Sequence, residues 1–310
     1  ALADGIDGLA HKPAEIKKVA EAYQRFSKAI GTPIEFVYQV RRPEIDAPYI
    51  DSIVKTFPAV WGWTASDENL EFWDYLARRC RQEGCLYTQS VYPDYYTSKV
   101  YARGKNNHAI LPTGVALKAG LDGIERHYRV TNLAQTQLLL LERAIRHDVK
   151  LINYVTWNDF PEGHHLAPEA SHNFGPSLLL RHFKRRWKSG KEDILQDEAI
   201  VFFKKYRHDA KPKYPVELKV KSRNRNLAGE DRIELVTLLR KPARCTLNGK
   251  SLGMVGQGLR VHSIPSEPGP VRVLVVREGK QVIRFKTPLA ISNSPLRTDR
   301  LTYSYSSSFE

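Results

Sequence analysis

Cysteine is scarce in this chain: there are three in 310 residues, Cys80, Cys85 and Cys245. Three cannot build a disulfide framework, and without a Cys-x-x-Cys pair a zinc finger or iron–sulfur centre has no ligands. Cys80 and Cys85 are spaced so that a bridge across a helix-to-strand turn can be drawn, but buried free thiols are the expectation. Long hydrophobic runs are also lacking. The densest, Leu138 to Leu141, falls far short of the ~18–20 apolar residues that cross a bilayer. The glycine patterns that cradle phosphates, GxxxxGK[ST] and GxGxxG, are absent, as are the GxSxG nucleophile elbow and the HExxH zinc motif. No helix–turn–helix, RNP or finger pattern offers sequence-specific nucleic-acid recognition. These absences lead to the expectation of a soluble chain that uses no cofactor and no metal.

Hydrophobic residues make up 42% of the chain and charged residues 26%, which fits a folded globular protein and excludes wholesale disorder. The formal charge is +14. Residues 180–225 hold fifteen Lys/Arg against six Asp/Glu, so +9 of the net +14 sits in that stretch. An anionic polymer would be attracted there, but a solvated helix face and a linker account for the pattern more simply. Nucleic acid is therefore not an expected partner. The sequence does not speak to oligomeric state.

The two ends follow different grammars. From the start to about Gly190, short β-rich runs at 7–10, 34–40, 59–63, 86–91 and 151–157 alternate with amphipathic stretches at 13–30, 48–55, 67–82, 133–147 and 176–187. Ile16, Val19, Ala20, Tyr23, Phe26 and Ile30 recur near 3.6-residue spacing, the mark of a helix with one buried face. Asp67 is a candidate N-cap, and Gly31 and Gly84 stop helices just before strands. Repeated strand–helix–strand order implies parallel strands flanked by helices, in a doubly wound sheet or a (β/α) barrel. From about Tyr214 short strands at 216–222, 232–239, 243–247, 259–264, 271–276 and 281–286 follow one another. Asn248-Gly249 and Glu278-Gly279 lie between alternating runs as hairpin turns. An antiparallel β-sandwich is expected there. The implied division is a barrel domain at 1–203, a linker at 204–215 and a sandwich at 216–310.

In parallel α/β folds ligands meet the carboxyl ends of the strands. After the last such strand comes Thr156-Trp157-Asn158-Asp159-Phe160-Pro161-Glu162-Gly163-His164-His165. It sets two carboxylates three residues apart, the combination that hydrolyses a glycosidic bond when one protonates the leaving oxygen and the other activates water. Asp159 and Glu162 are thus the candidate catalytic pair. Aromatic rings stack on pyranose faces while amides, imidazoles and carboxylates bond to hydroxyls. On that ground Trp61, Trp63, Tyr92, Asp94, Tyr95, Trp157, Asn158, His164 and His165 are candidate sugar-binding residues. His164-His165 beside Glu162 raises a metal, but no third ligand can be identified from the sequence.

The stretch Thr156-Trp157-Asn158-Asp159-Phe160-Pro161-Glu162-Gly163-His164 resembles the last barrel strand end of glycoside hydrolase family 71, the α-1,3-glucanases or mutanases. Ser90-Val91-Tyr92-Pro93-Asp94-Tyr95-Tyr96, then Arg103-Gly104, is similar to the family's preceding strand end, and Val276-Arg277-Glu278-Gly279 with Val282 to its trailing β domain. The likeness runs over about 34–291, with the Asn-Asp-x-x-Glu stretch its most specific part. It implies a (β/α)8 barrel that hydrolyses α-1,3-glucan with inversion, Asp159 as general acid and Glu162 as general base. Lys105 and His165 depart from the family pattern, where an acidic residue and an aromatic are usual. An endo-α-mannosidase-like hydrolase of the family 99 type is the alternative enzyme, and a non-catalytic carbohydrate-binding protein on a degenerate barrel the alternative class. A polymeric substrate implies a secreted, periplasmic or cell-surface protein. A complete barrel needs about 250 residues, so five strand–helix units within 1–203 lead to the expectation of a barrel incomplete at its N-terminal side.

Overall fold

The computed structural model describes residues 2–3, 13–40, 43–44, 46–63, 68–104 and 110–308. The expected strand at 7–10, the Asp67 cap and the departure at Lys105 lie outside the described residues. The chain divides into two compact units, one formed by 1–92 with 139–155 and the other by 93–138 with 156–310.

The first unit carries a five-stranded parallel sheet in the order Leu2–Ala3, Val37–Val40, Ala59–Gly62, Leu86–Val91, Leu151–Tyr154. Helices Pro13–Ala29, Ala47–Thr56 and Leu70–Glu83 connect successive strands, so the strand–helix alternation read from the sequence is realised. Every residue of Ala59–Gly62 is buried, as expected of a parallel strand covered on both faces. Asp46 caps the second helix by accepting the Tyr49 N–H at 3.2 Å, one of the orphan donors of a first turn. The third helix runs over Leu70–Glu83, and Gly84 caps it with a φ of 73°. Cys80, Cys85 and Cys245 are free and buried.

The second unit is built largely from antiparallel sheet. One four-stranded sheet runs Gly258–Pro265, Arg232–Leu239, Glu198–Lys204, Thr302–Ser306, and another runs Lys250–Val255, Ala243–Leu247, Gly269–Arg277, Lys280–Ile291. Alternate residues of both feed one apolar cluster that includes Val201, Phe203, Ile233, Leu235, Cys245, Val273, Val275 and Phe285. The turns at Asn248-Gly249 and Glu278-Gly279 have positive φ at both residues, 47° and 78°, 51° and 75°, which is the hairpin geometry their sequence demands. A smaller sheet joins Tyr101–Ala102, Ile124–Tyr128 and Glu217–Val220.

Glu198–Lys204 is buried at all seven positions. One face contributes Val201 and Phe203 to the inter-sheet core. Ile200 and Phe202 on the other face meet Leu178 and Leu179 of helix Gly175–Ser189. A strand buried on both faces shows no apolar–polar alternation, which is why the sequence reading passes over it. The expected linker at 204–215 begins at its last residue, inside the second unit. Among the described residues no helix is long and apolar enough to cross a membrane. Among the described residues the architecture is mixed α/β, with one parallel sheet, two antiparallel sheets and a small sheet in which Ile124–Tyr128 pairs antiparallel with Tyr101–Ala102 and parallel with Glu217–Val220.

Candidate active site

The loop that follows strand Leu151–Tyr154 turns back on itself. Thr156 N–H donates to the His164 carbonyl at 3.0 Å, and the Leu166 and Ala167 N–H groups donate to Trp157 O. Phe160–Glu162 forms a 3-10 turn with Pro161 near its start, and Gly163 ends it in the left-handed region at φ 67°. That position also lies close to its neighbours: a Cβ there would stand 2.4 Å from Leu301 Cδ2 and 3.0 Å from the Tyr96 carbonyl oxygen. A second segment clasps the loop, because Tyr96 N–H donates to Glu162 O at 3.1 Å and Ser98 N–H to Pro161 O at 2.7 Å.

These clasps gather the charged side chains. His164 Nε2 lies 3.1 Å from Glu162 Oε2 and 3.7 Å from Asp159 Oδ2. One oxygen from each carboxylate and the His164 nitrogen fall within 4.8 Å of one another. Lys99 Nζ reaches the other Glu162 oxygen at 2.6 Å. The hydrogen bond to His164, reinforced by Lys99, holds Glu162 down to about 2 against the opposing effect of burial. Lys99 is raised in turn by the same contact. Tyr95 stacks on His164 with ring centroids 6.4 Å apart, and burial together with the Glu162 charge raises its phenol well above the ordinary value. Tyr101 bonds to Tyr95 and stacks on His127 at 3.8 Å. His127 in turn faces Glu125 at 3.1 Å.

The sequence-derived candidates separate into groups. Asp159, Glu162, His164 and Tyr95 are in direct proximity, while Trp157 and Asn158 are exposed at the head of the same loop. Trp157 is 63% exposed and Phe160 48%, large apolar rings open to a flat ligand. His165 is turned inward and packs against Phe160 and His172. Asp94 is buried. Its carboxylate accepts the Thr302 N–H at 2.7 Å and the Tyr95 N–H at 3.0 Å, and meets Lys204 Nζ at 3.4 Å. Burial alone would raise Asp94, but Lys204, His172 and the Thr302 N–H outweigh it and hold the carboxyl well below its usual range. Trp61, Trp63 and Tyr92 belong to the first unit and form a chain of rings, 5.3 Å and then 6.0 Å between centroids. Trp63 is 42% exposed, while Trp61 and Tyr92 are buried.

The sequence reading misses Lys99 and Tyr101. Lys99 pairs with a residue 63 positions away, and no motif links them. The only hint was their place just after the aromatic run that ends at Tyr96.

The sequence profile of Glycosyl hydrolase family 71 matches residues 128–305, more than half of the chain and all of the Asp159–Glu162 loop. The chain belongs to glycosyl hydrolase family 71. No curated protein matches this family 71 chain. Among solved structures it is similar to an endo-α-mannosidase of family 99 from Bacteroides thetaiotaomicron, at 17% identity over 57% of this chain and 54% of that one, with a TM-score of 0.37. It is also similar to a family 2 glycosyl hydrolase from Bacteroides cellulosilyticus, at 14% identity over 88% and 31% with a TM-score of 0.42. A third is a β-glucuronidase from Bacteroides uniformis, at 13% identity over 92% and 32% with a TM-score of 0.42. The family 71 chain thus spans about half the length of the mannosidase and about a third of the other two.

Proposed function

We propose that this chain is a glycosidase that hydrolyses an α-glucan, with α-1,3-glucan as the substrate, using Asp159 and Glu162 as its carboxylate pair. The observation that carries the reading is the gathering of both carboxylates around His164 in a loop that follows a parallel strand. Family membership supports a glycosidase, and the α-1,3-glucan substrate follows from the resemblance of the Asn-Asp-x-x-Glu stretch. The parallel unit is read as part of a (β/α) barrel and the two packed antiparallel sheets as a β-sandwich.

Glu162, held near 2, is ionised throughout the working range and takes the role of base, which leaves the acid to Asp159. A carboxylate so firmly held is a weak proton acceptor. Sugar entry must therefore loosen the Lys99 contact, letting Glu162 accept a proton from water. An inverting pair needs carboxyl groups about 6.5–9.5 Å apart to admit that water, whereas a retaining pair stands about 5–5.5 Å apart. The nearest oxygens here lie within 4.8 Å. Inversion thus requires Asp159 to turn outward. Its side chain is 35% exposed and meets His164 at 3.7 Å, so it is the less constrained member of the pair. Trp157 and Phe160 would supply stacking faces for the sugar.

The test is a screen of α-1,3-, α-1,4- and α-1,6-glucans and α-mannans for released reducing ends. Release from α-1,3-glucan is expected. Release from mannan alone would replace this reading with a mannosidase, and binding without release would make the chain a carbohydrate-binding protein.

A further inference from the structure

His165 lies at the far end of the proposed catalytic loop, and its ring packs against Phe160 and His172. It is 2% exposed, and among the described residues neither of its ring nitrogens has a hydrogen-bond partner. A buried imidazole with both nitrogens unbonded is costly, so its surroundings call for an account. Its Nε2 lies 3.1 Å from Glu169 Oε1, yet without the alignment a hydrogen bond requires. His172, 3% exposed, turns Nδ1 toward the same oxygen at 3.9 Å, and that nitrogen is likewise unbonded. The two rings face each other with centroids 4.4 Å apart. One donor atom from each of the three residues falls within 4.8 Å of the others.

We propose that His165, Glu169 and His172 form a binding site for a divalent transition-metal ion of the zinc class. Two imidazoles and a carboxylate are a favoured donor set for such an ion. Bonds of about 2.0–2.1 Å in a tetrahedron set donors about 3.3 Å apart. The separations of 3.1 and 3.9 Å bracket that value. The surroundings are also those of a ligand set. Asp94 faces His172 Nε2 at 3.7 Å, the carboxylate partner that fixes a metal-bound histidine's tautomer and leaves the other nitrogen's lone pair for the ion. Glu169 is oriented by the Ser171 and His172 N–H groups at 2.7 and 2.6 Å and by the Ser171 hydroxyl. The sequence reading stops at His164-His165 for want of a third ligand; the fold gives His165 two partners, four and seven residues on.

The ion's role is positional. His165 is joined directly to His164, whose ring touches Glu162, so an ion at His165 would fix the far end of the loop that presents the carboxylates. The site does not depend on which glycan is cleaved, and its test does not use activity.

The purified full chain, stripped with a chelator, is loaded with Zn2+ and titrated by calorimetry, and separately loaded with Co2+ for its visible d–d spectrum. One ion per chain is expected, with cobalt bands of nitrogen and oxygen ligation and paramagnetic shifts on the His165 and His172 imidazole resonances. His165→Gln, Glu169→Gln and His172→Gln are expected to abolish detectable binding while keeping the metal-free circular dichroism. Asp94→Asn is expected to weaken it by about 10–100-fold. The proposal is overturned if the wild-type chain binds no stoichiometric ion. It is also overturned if the shifted resonances are those of His164, or of His208 in the exposed His208–Asp209–Asp231 group. The wild-type spectrum decides even where a variant fails to fold.

Discussion

Lys99 Nζ lies 2.6 Å from Glu162 Oε1 while His164 Nε2 lies 3.1 Å from Glu162 Oε2, so both oxygens of one carboxylate face a basic side chain. The arrangement joins two chain segments and sets the protonation state of one member of the proposed pair.

Removing the lysine tests that statement. In Lys99→Met, Glu162 keeps the His164 contact but loses the ammonium, and its pKa rises from about 2 toward its ordinary 4.5. The acid limb of kcat/KM should move to higher pH in this variant, while its alkaline limb stays in place. For stability the sign follows from the depressed value: the contribution of ionised Glu162 is present above its unfolded pKa and is lost as pH falls toward about 2. Wild type should therefore lose more stability than Lys99→Met over that acid window. Identical pH profiles would mean that the contact does not set the state of Glu162.

Asp159→Asn and Glu162→Gln each remove a proposed proton-transfer group with little change in shape. Each should lower kcat by about 10²–10⁴-fold, with circular dichroism unchanged. Near-normal turnover in both would remove the pair from the mechanism.

Asp94 is expected to matter for stability first. Its charge faces Lys204, which is itself buried and meets Glu230 at 3.5 Å. Deleting one partner of a buried pair costs about 3–5 kcal/mol, and with Glu230 still present Asp94→Asn should fall at the lower end, about 3 kcal/mol. Urea denaturation checks this. Because the Asp94 pKa is depressed, its contribution is present above the unfolded pKa and fades as pH falls through the folded one. The difference between wild type and variant should shrink in acid.

Gly163→Ala should be harmful out of proportion to its size. The backbone sits at φ 67°, and the added methyl would stand 2.4 Å from Leu301 Cδ2 and 3.0 Å from Tyr96 O. A strained residue of this kind costs about 1–3 kcal/mol, and displacing the loop from Tyr96 should lower turnover further. A variant as active and stable as wild type would show that the clasp is not needed.

Much of the fold is legible in the sequence because its signals are local. Leu86–Val91, Arg232–Leu239 and Ala243–Leu247 coincide with the strands their patterns predict, and Asn248-Gly249 and Glu278-Gly279 form the turns their residues favour. Glu198–Lys204 is passed over because burial on both faces erases alternation, and Ile124–Tyr128 because the strands it pairs with, Tyr101–Ala102 and Glu217–Val220, lie far from it in the sequence. At the site, Asp159, Glu162 and His164 are legible as a motif in one loop. Lys99, Glu169 and His172 are not, since their meaning lies in contacts made only after the chain folds. The charge-rich stretch contains Lys204, one positive residue that never reaches solvent, so a count of charges overstates what an anionic partner would meet.

The most direct measurement follows the anomer of the first sugar released from α-1,3-glucan by NMR, with wild type and Asp159→Asn compared under the same conditions. The account predicts that wild type releases the β-anomer first and that the variant releases little of either. First appearance of the α-anomer would contradict inversion, and undiminished release by Asp159→Asn would contradict the assignment of the pair.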